Sequence, residues 1–170
     1  MKAVVQRVQN ASVFVEGTIT GHIHRGLLVY LGVALEDTVN DADWMADKII
    51  NLRIFDDPEG KMNLSLIDVV NQYNFNGNKS NITMVNRDNN EVNIGILAIS
   101  QFTLLGDARK GRRPSWSAAA PPEKAEKLYL YFTKAIREKD IMCQCGVFQA
   151  RMQVSYTNEG PVTILLDSRE

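Results

Sequence analysis

The chain has 170 residues, of which 45% are hydrophobic and 23% charged, with a formal net charge of −1 at pH 7. This is one domain's length, enough to bury roughly 70% of the extended chain's surface without a disulfide or metal staple. The composition excludes wholesale disorder, collagen and coiled coil, and the near-neutral charge does not write non-specific nucleic-acid binding into the average. The longest apolar runs, such as Gly26–Leu35, fall short of the roughly 20 residues of a membrane-spanning helix. Charge interrupts Met1–Arg7 before a signal-peptide core can form, which points to a cytoplasmic protein. Cys143 and Cys145 are expected on one strand face, poorly placed to bridge each other, as reduced thiols.

The first third reads as strands. Val4–Val8 alternates, Ser12–Glu16 alternates again, and Ile19–His24 follows between glycines. Gly26–Val33 is a continuous apolar run, expected as a central buried strand. Asn40–Leu52 predicts the first helix, capped by Asn40 or Asp41, with Trp44, Met45, Lys48, Ile49 and Leu52 along its stripe. Asp56–Gly60 is a turn. Residues 71–93 are Asn-rich and read as a solvent-exposed insertion. Asn76-Gly77 and Asp88–Asn90 are its turn signals, and Ile82–Val85 is expected as one arm of a loose hairpin. Ile94–Leu105 is expected as a second strongly apolar strand. Pro121–Glu138 predicts the second helix, with Ala125, Leu128, Tyr129, Phe132, Ala135 and Ile136 on one face. Three strands close the chain, at Met142–Phe148, Met152–Tyr156 and Val162–Leu166, the last two joined by a turn at Asn158–Pro161. No repeat and no linker interrupts this single domain over residues 1–170.

The chemistry-bearing residues are few. His22 and His24 share a strand face but lack the third ligand a catalytic zinc needs. Their scarcity also weakens any Ser-His-Asp or Cys-His scheme. Neither glycine-rich nucleotide-binding pattern occurs. Two segments remain. Ser100-Gln101-Phe102-Thr103 ends an apolar strand and is followed by the cations Arg109, Lys110, Arg112 and Arg113. Asn158-Glu159-Gly160-Pro161-Val162-Thr163 carries a Gly-Pro bond, the kind of bond that adopts cis at modest cost.

These two segments, in this order, resemble the signature motifs Ser-Gln-Phe-Thr and Asn-x-Gly-Pro-x-Thr of the D-aminoacyl-tRNA deacylase family, the D-tyrosyl-tRNA deacylases. The resemblance runs from Met1 to about Asp167 and includes Val5–Val8, Ala11–Val13, Gly26–Val29, Arg53–Phe55, Gly60–Leu64, Lys110–Ser115 and Ala120–Pro122. The departure is the Asn-rich stretch, longer than the short turn expected there.

The resemblance implies an α+β fold, a β-barrel-like mixed sheet with two main helices, working as a homodimer with a cross-subunit active site. It implies hydrolysis of the ester of D-aminoacyl-tRNA, and of mischarged glycyl-tRNA. Gly160 and Pro161 are expected to be joined in cis and to hold the substrate's α-amino group through their carbonyls. An L-side chain then meets the Gly-Pro wall. Arg7 is expected to fix that pair. Backbone N–H groups around Gln101 and Phe102 are candidates for the oxyanion site, Ser100 and Gln101 for the adenosine end, and Phe102 for an aromatic wall. Thr103 is the side-chain nucleophile candidate, but without an evident base, so a reaction assisted by the ribose 2′-hydroxyl is preferred. Arg109, Lys110, Arg112 and Arg113 are expected on tRNA phosphates. No metal or organic cofactor is implied. Two alternatives stay open: a Thr-nucleophile esterase, and a tRNA- or DNA-binding module without hydrolase activity.

Overall fold

A computed structural model of the chain describes residues 1–75, 84–85 and 91–170. It opens with one long strand, β1 (Lys2–Val15), then β2 (Thr18–Ile23) and β3 (Gly26–Gly32). Helix α1 (Val39–Ile50) leads through the short pair β4 (Phe55–Asp56) and β5 (Met62–Leu64) into α2 (Leu66–Phe75). Two short strands, β6 (Met84–Val85) and β7 (Glu91–Val92), pair antiparallel. Then come β8 (Gly95–Ser100), a 3-10 turn (Phe102–Leu105), α3 (Pro122–Arg137), β9 (Met142–Cys145) and β10 (Met152–Asp167). Ile82, Asn76-Gly77 and Asp88–Asn90, expected in the loose hairpin, lie outside the described residues.

The main sheet has the order β10-β1-β3-β8-β9, with β2 also paired to β1. β1 runs antiparallel to both neighbours, whereas β3, β8 and β9 are mutually parallel. β1 outruns β3. Its residues 2–8 pair with β3 and residues 11–15 with β2, while β10 follows it along the other edge. The sheet curls until β2 lies over β9. A Cβ on Gly21 would come within 2.8 Å of the Cys145 carbonyl oxygen, so only glycine admits this approach.

The alternation of strand residues makes two cores. Leu27, Val29, Leu31, Ile96 and Ala98 point to the helices, where they meet Met45, Ile49, Phe132 and Ile136. Leu28, Leu97 and Ile99 point into the curl with Val8, Val13 and Ile23. Each fully buried side chain of this size contributes about 1.5–3 kcal/mol.

Among the described residues a third helix accompanies the two main ones. The additional one, α2, is announced by Ser65-Leu66-Ile67-Asp68. The Ser65 hydroxyl and amide both donate to Asp68 Oδ2, at 2.6 and 2.8 Å, and the Asp68 amide donates back to Ser65 Oγ at 3.2 Å. These bonds hold the Asp68 carboxyl below the ordinary carboxylate range. α2 runs to Phe75, into the Asn-rich stretch.

Helix α1 is capped by Thr38, one turn earlier than Asp41, whose carboxylate accepts from the Thr38 amide at 2.8 Å. Its buried stripe is Ala42, Met45, Ala46, Ile49 and Ile50. Trp44, expected on that stripe, faces outward beside Lys48.

Candidate active site

The Ser-Gln-Phe-Thr segment is not a continuing strand. β8 stops at Ser100, Gln101 caps the turn, and Phe102–Leu105 wind into 3-10 geometry. Gly32 admits the turn at this place, because a Cβ there would lie 2.5 Å from Leu105 Cδ2 and 2.9 Å from the Gln101 carbonyl oxygen. The turn lifts Phe102 out of the sheet, where the residue is 58% exposed. It stands edge-on to Trp116, with centroids 5.8 Å apart.

The amide of Gln101 donates to the Leu31 carbonyl at 2.8 Å and is occupied in the sheet. It therefore cannot serve an oxyanion. Phe102 and Thr103 head the turn, where amides have no acceptor within the helix. Gln101 Nε2 donates to Thr103 Oγ1. No histidine, lysine or carboxylate hydrogen-bonds this hydroxyl among the described residues.

Ser100, Gln101 and Phe102 form one side of a cavity of about 780 Å³. Trp116, Tyr129 and Phe148 contribute aromatic walls, and Gln149 a polar one. Tyr129 is fixed by donating its hydroxyl to the Ala98 carbonyl at 2.8 Å. Gln149 has φ 61°, uncommon for a non-glycine residue.

The second motif is built as a bulge in β10. Gln6 faces Thr163 and Val8 faces Asn158, so residues 159–162 stand opposite Arg7 alone. What reads as a turn between two strands is an excursion within one strand, because β1 templates both sides of it. The Gly160–Pro161 bond is cis, and both residues are exposed. Asn158 staples the base of the bulge. Its Nδ2 donates to the carbonyls of Arg7 and Val162, each at 2.9 Å. Gln6 Nε2 donates to Thr163 Oγ1 at 3.1 Å. The first and last residues of the motif are thus structural. Asn158→Ala is expected to lower stability by about 1–2 kcal/mol, measured by urea unfolding, and to loosen the bulge.

Arg7 underlies the bulge and is 5% exposed. Its Nη1 donates to the Ile54 carbonyl at 2.7 Å and to Asp56 Oδ1 at 3.2 Å. Its Nε lies 3.6 Å from Glu159 Oε2. A Cβ on Gly160 would lie 3.2 Å from Arg7 Nη2. The guanidinium is a seat for the Gly-Pro loop, held from the far side by a carbonyl and a carboxylate. None of Arg7, Gly160 and Pro161 lines the cavity that contains Ser100 and Phe102.

A family model described as D-Tyr-tRNA(Tyr) deacylase matches residues 4–73 and 74–167. The chain belongs to this deacylase family. A D-aminoacyl-tRNA deacylase of Koribacter versatilis (strain Ellin345) is 51% identical over 170 residues, covering 100% of this chain and 99% of the relative. One of Thermosipho africanus (strain TCF52B) is 50% identical with the same coverage. Among solved structures, a c-Myc DNA unwinding element binding protein superposes with TM-score 0.79 at 40% identity, covering 98% of both chains. A probable eukaryotic D-amino acid tRNA deacylase superposes with TM-score 0.73 at 16% identity, covering 97% of both, a likeness of fold.

Beside the Ser-Gln-Phe-Thr turn of this deacylase-family chain, Asp107 and Ser115 pair through both backbone bonds, at 2.7 and 2.9 Å. They close the neck of the basic loop. Arg109 folds back on Asp107 in a forked pair at 2.9 and 2.6 Å, which holds the Asp107 carboxyl far below its usual range. Its charge is therefore compensated within the loop. Lys110, Arg112 and Arg113 are exposed and have no ion-pair partner among the described residues.

His22 and His24 stack edge-on at 4.6 Å, and His24 Nδ1 accepts the Asn93 amide at 3.1 Å. No cluster of three or more His, Cys, Asp or Glu able to hold a metal occurs among the described residues. No helix among them is long and apolar enough to cross a membrane. Sequence reasoning did not single out Trp116, Phe148, Gln149 or Asn158 as working residues. Only Asn158 carried a signal, as the first residue of its motif.

Proposed function

We propose that this chain hydrolyses the ester bond of D-aminoacyl-tRNA, releasing D-amino acid and free tRNA, as a chiral proofreading step in translation. It carries out this work in the cytoplasm. The observation that carries the reading is the pairing of an open, aromatic-walled cavity at Ser100–Phe102 with an exposed cis Gly160–Pro161 bulge that does not line it. Two copies of the chain bring the bulge of one to the cavity of the other. β10 supports this: it is an edge strand, and Leu165 on it is 76% exposed. The active form is a homodimer with a cross-subunit site.

In that site the Gly160 and Pro161 carbonyls hold the α-amino group, and a D-side chain points away from the wall that an L-side chain strikes. Glycine, with no side chain, passes the same filter, so glycyl-tRNA is also a substrate. Ser100 and Gln101 bound the adenosine end, and Phe102 offers its ring to it. The oxyanion is met by the Phe102 amide rather than that of Gln101. Lys110, Arg112 and Arg113 face the phosphates of the acceptor end, with Arg109 shaping the loop.

Thr103 is held as an acceptor by Gln101, and an amide nitrogen takes no proton, so the ribose 2′-hydroxyl supplies the assistance a base would give. The deciding experiment follows deacylation of D-Tyr-tRNA and L-Tyr-tRNA by the wild type and by Thr103→Ala. D-Tyr-tRNA is expected to be cleared far faster than its mirror image. Thr103→Ala is expected to keep its rate within about tenfold, since loss of a true nucleophile or base costs roughly 10²–10⁴. Equal clearance of both substrates would refute chiral proofreading, and a trapped acyl-Thr103 would refute substrate assistance.

A further inference from the structure

On the side of α3 that faces β9, outside the cavity, two thiols and a guanidinium meet. Arg137, the last residue of α3, points Nε and Nη2 at the Cys143 carbonyl, at 3.1 and 2.7 Å. The same Nη2 lies 3.2 Å from Cys145 Sγ. Arg137 has no carboxylate partner among the described residues. An exposed guanidinium without a carboxylate partner favours an anion beside it, and the sulfur is within its reach. Both cysteines are free thiols. Cys143 is buried and Cys145 half-buried.

We infer that Cys145, in contact with the Arg137 guanidinium, is a modification site that exchanges with small, negatively charged disulfides. Cys145 Sγ attacks one sulfur of the incoming disulfide. The old S–S bond breaks, a mixed disulfide forms on Cys145, and the other half leaves as a thiolate with the electron pair. No outside oxidant is consumed. Arg137 serves twice, holding the nucleophile as an anion and drawing in an anionic partner.

The ionisable groups acting on Cys145 are Cys143 from its own strand and Arg137 and Tyr129 from α3. The neighbouring Cys143 thiol and the Arg137 charge together outweigh burial and bring the Cys145 thiol down to about 6. The same contact and burial push the Cys143 thiol up, so it stays protonated. The pair is asymmetric, one sulfur attacking and the other staying a thiol that donates to the Gln144 carbonyl at 3.9 Å.

The test uses dithiobis(nitrobenzoate), a doubly anionic disulfide whose leaving thiolate is coloured, on the full chain. The wild type is expected to show one fast thiol, lost in Cys145→Ser and kept in Cys143→Ser. The rate should rise with pH through a midpoint near about 6, against about 8.5 for an ordinary cysteine. Arg137→Gln is expected to slow the fast phase at least about fivefold at pH 6, as a midpoint shift of one unit or more requires. A fast phase that survives Cys145→Ser, a wild-type midpoint at the ordinary value, or a folded Arg137→Gln with an unchanged rate would each overturn the assignment. Should Arg137→Gln not fold, the wild-type profile and Cys145→Ser decide. These readings need no tRNA, so they stand or fall apart from the proposed deacylase activity.

Discussion

Gly160→Ala is expected to slow deacylation of D-Tyr-tRNA by at least roughly a hundredfold while the protein stays folded. Two independent constraints act on this residue. Its φ is +117°, a conformation that L-residues with a side chain rarely adopt. A Cβ there would also come within 2.7 Å of Val162 Cγ2 and 3.1 Å of the Val162 nitrogen. The loop must shift, and Arg7 beneath it cannot follow, because Ile54 and Asp56 hold it from the other side. A displacement of about 1 Å in a positioning element costs about 10² in rate. Because residues 159–162 bulge out of the ladder, the flanking pairs Gln6–Thr163 and Val8–Asn158 survive, and thermal unfolding should move little. Single-turnover deacylation of D- and L-Tyr-tRNA measures the effect. A variant that retains both rate and handedness would remove Gly160 from the selective wall.

Asp37→Ala is expected to cost about 3–5 kcal/mol of stability, a large share of the roughly 5–15 kcal/mol available to a domain. The Asp37 carboxylate is fully buried. Its Oδ1 lies 2.8 Å from the Met1 ammonium, itself fully buried, and 3.5 Å from Arg169 Nε. Its Oδ2 accepts the Ala34 amide at 2.6 Å. Removing the carboxylate strands a buried ammonium and an amide together. Ser168 Oγ also accepts from Met1 but is committed as a donor to Asp41 at 2.7 Å, so it cannot replace the charge. Urea unfolding checks the magnitude. A loss below about 1 kcal/mol, the size of an exposed ion pair, would mean that water reaches the ammonium.

Most strands were legible as segments, but their joins were not. Alternation marked Val4–Val8 and Ser12–Glu16 separately, and nothing local says that a single 14-residue strand links them. That continuity comes from β10, which pairs with both halves. The same partner turns the apparent Asn158–Pro161 turn into a bulge. At Ser100–Leu105 the apolar run persists while the backbone changes from strand to 3-10 turn, since hydrophobicity reports burial and not the crowding at Gly32. Helix α2 was hidden because Asn-rich composition outweighed a capping pattern already present at Ser65–Asp68.

The site divides in the same way. The two motifs stand out by residue type, and Arg7 could be placed by resemblance alone. The occupied Gln101 amide, the compensated Arg109 and the aromatic walls at Trp116 and Phe148 depend on distant partners, which periodicity does not encode.

The pairing at the sheet's edge joins strands far apart in sequence: Lys2 lies opposite Asp167, and Val15 opposite Met152. During synthesis β1 therefore leaves the ribosome with one flank bare and waits until Met152–Asp167 has been made. Contacts so remote in sequence make assembly slow and expose a hydrophobic ribbon meanwhile. Nascent chains halted before β10 emerges should be the species that chaperones hold.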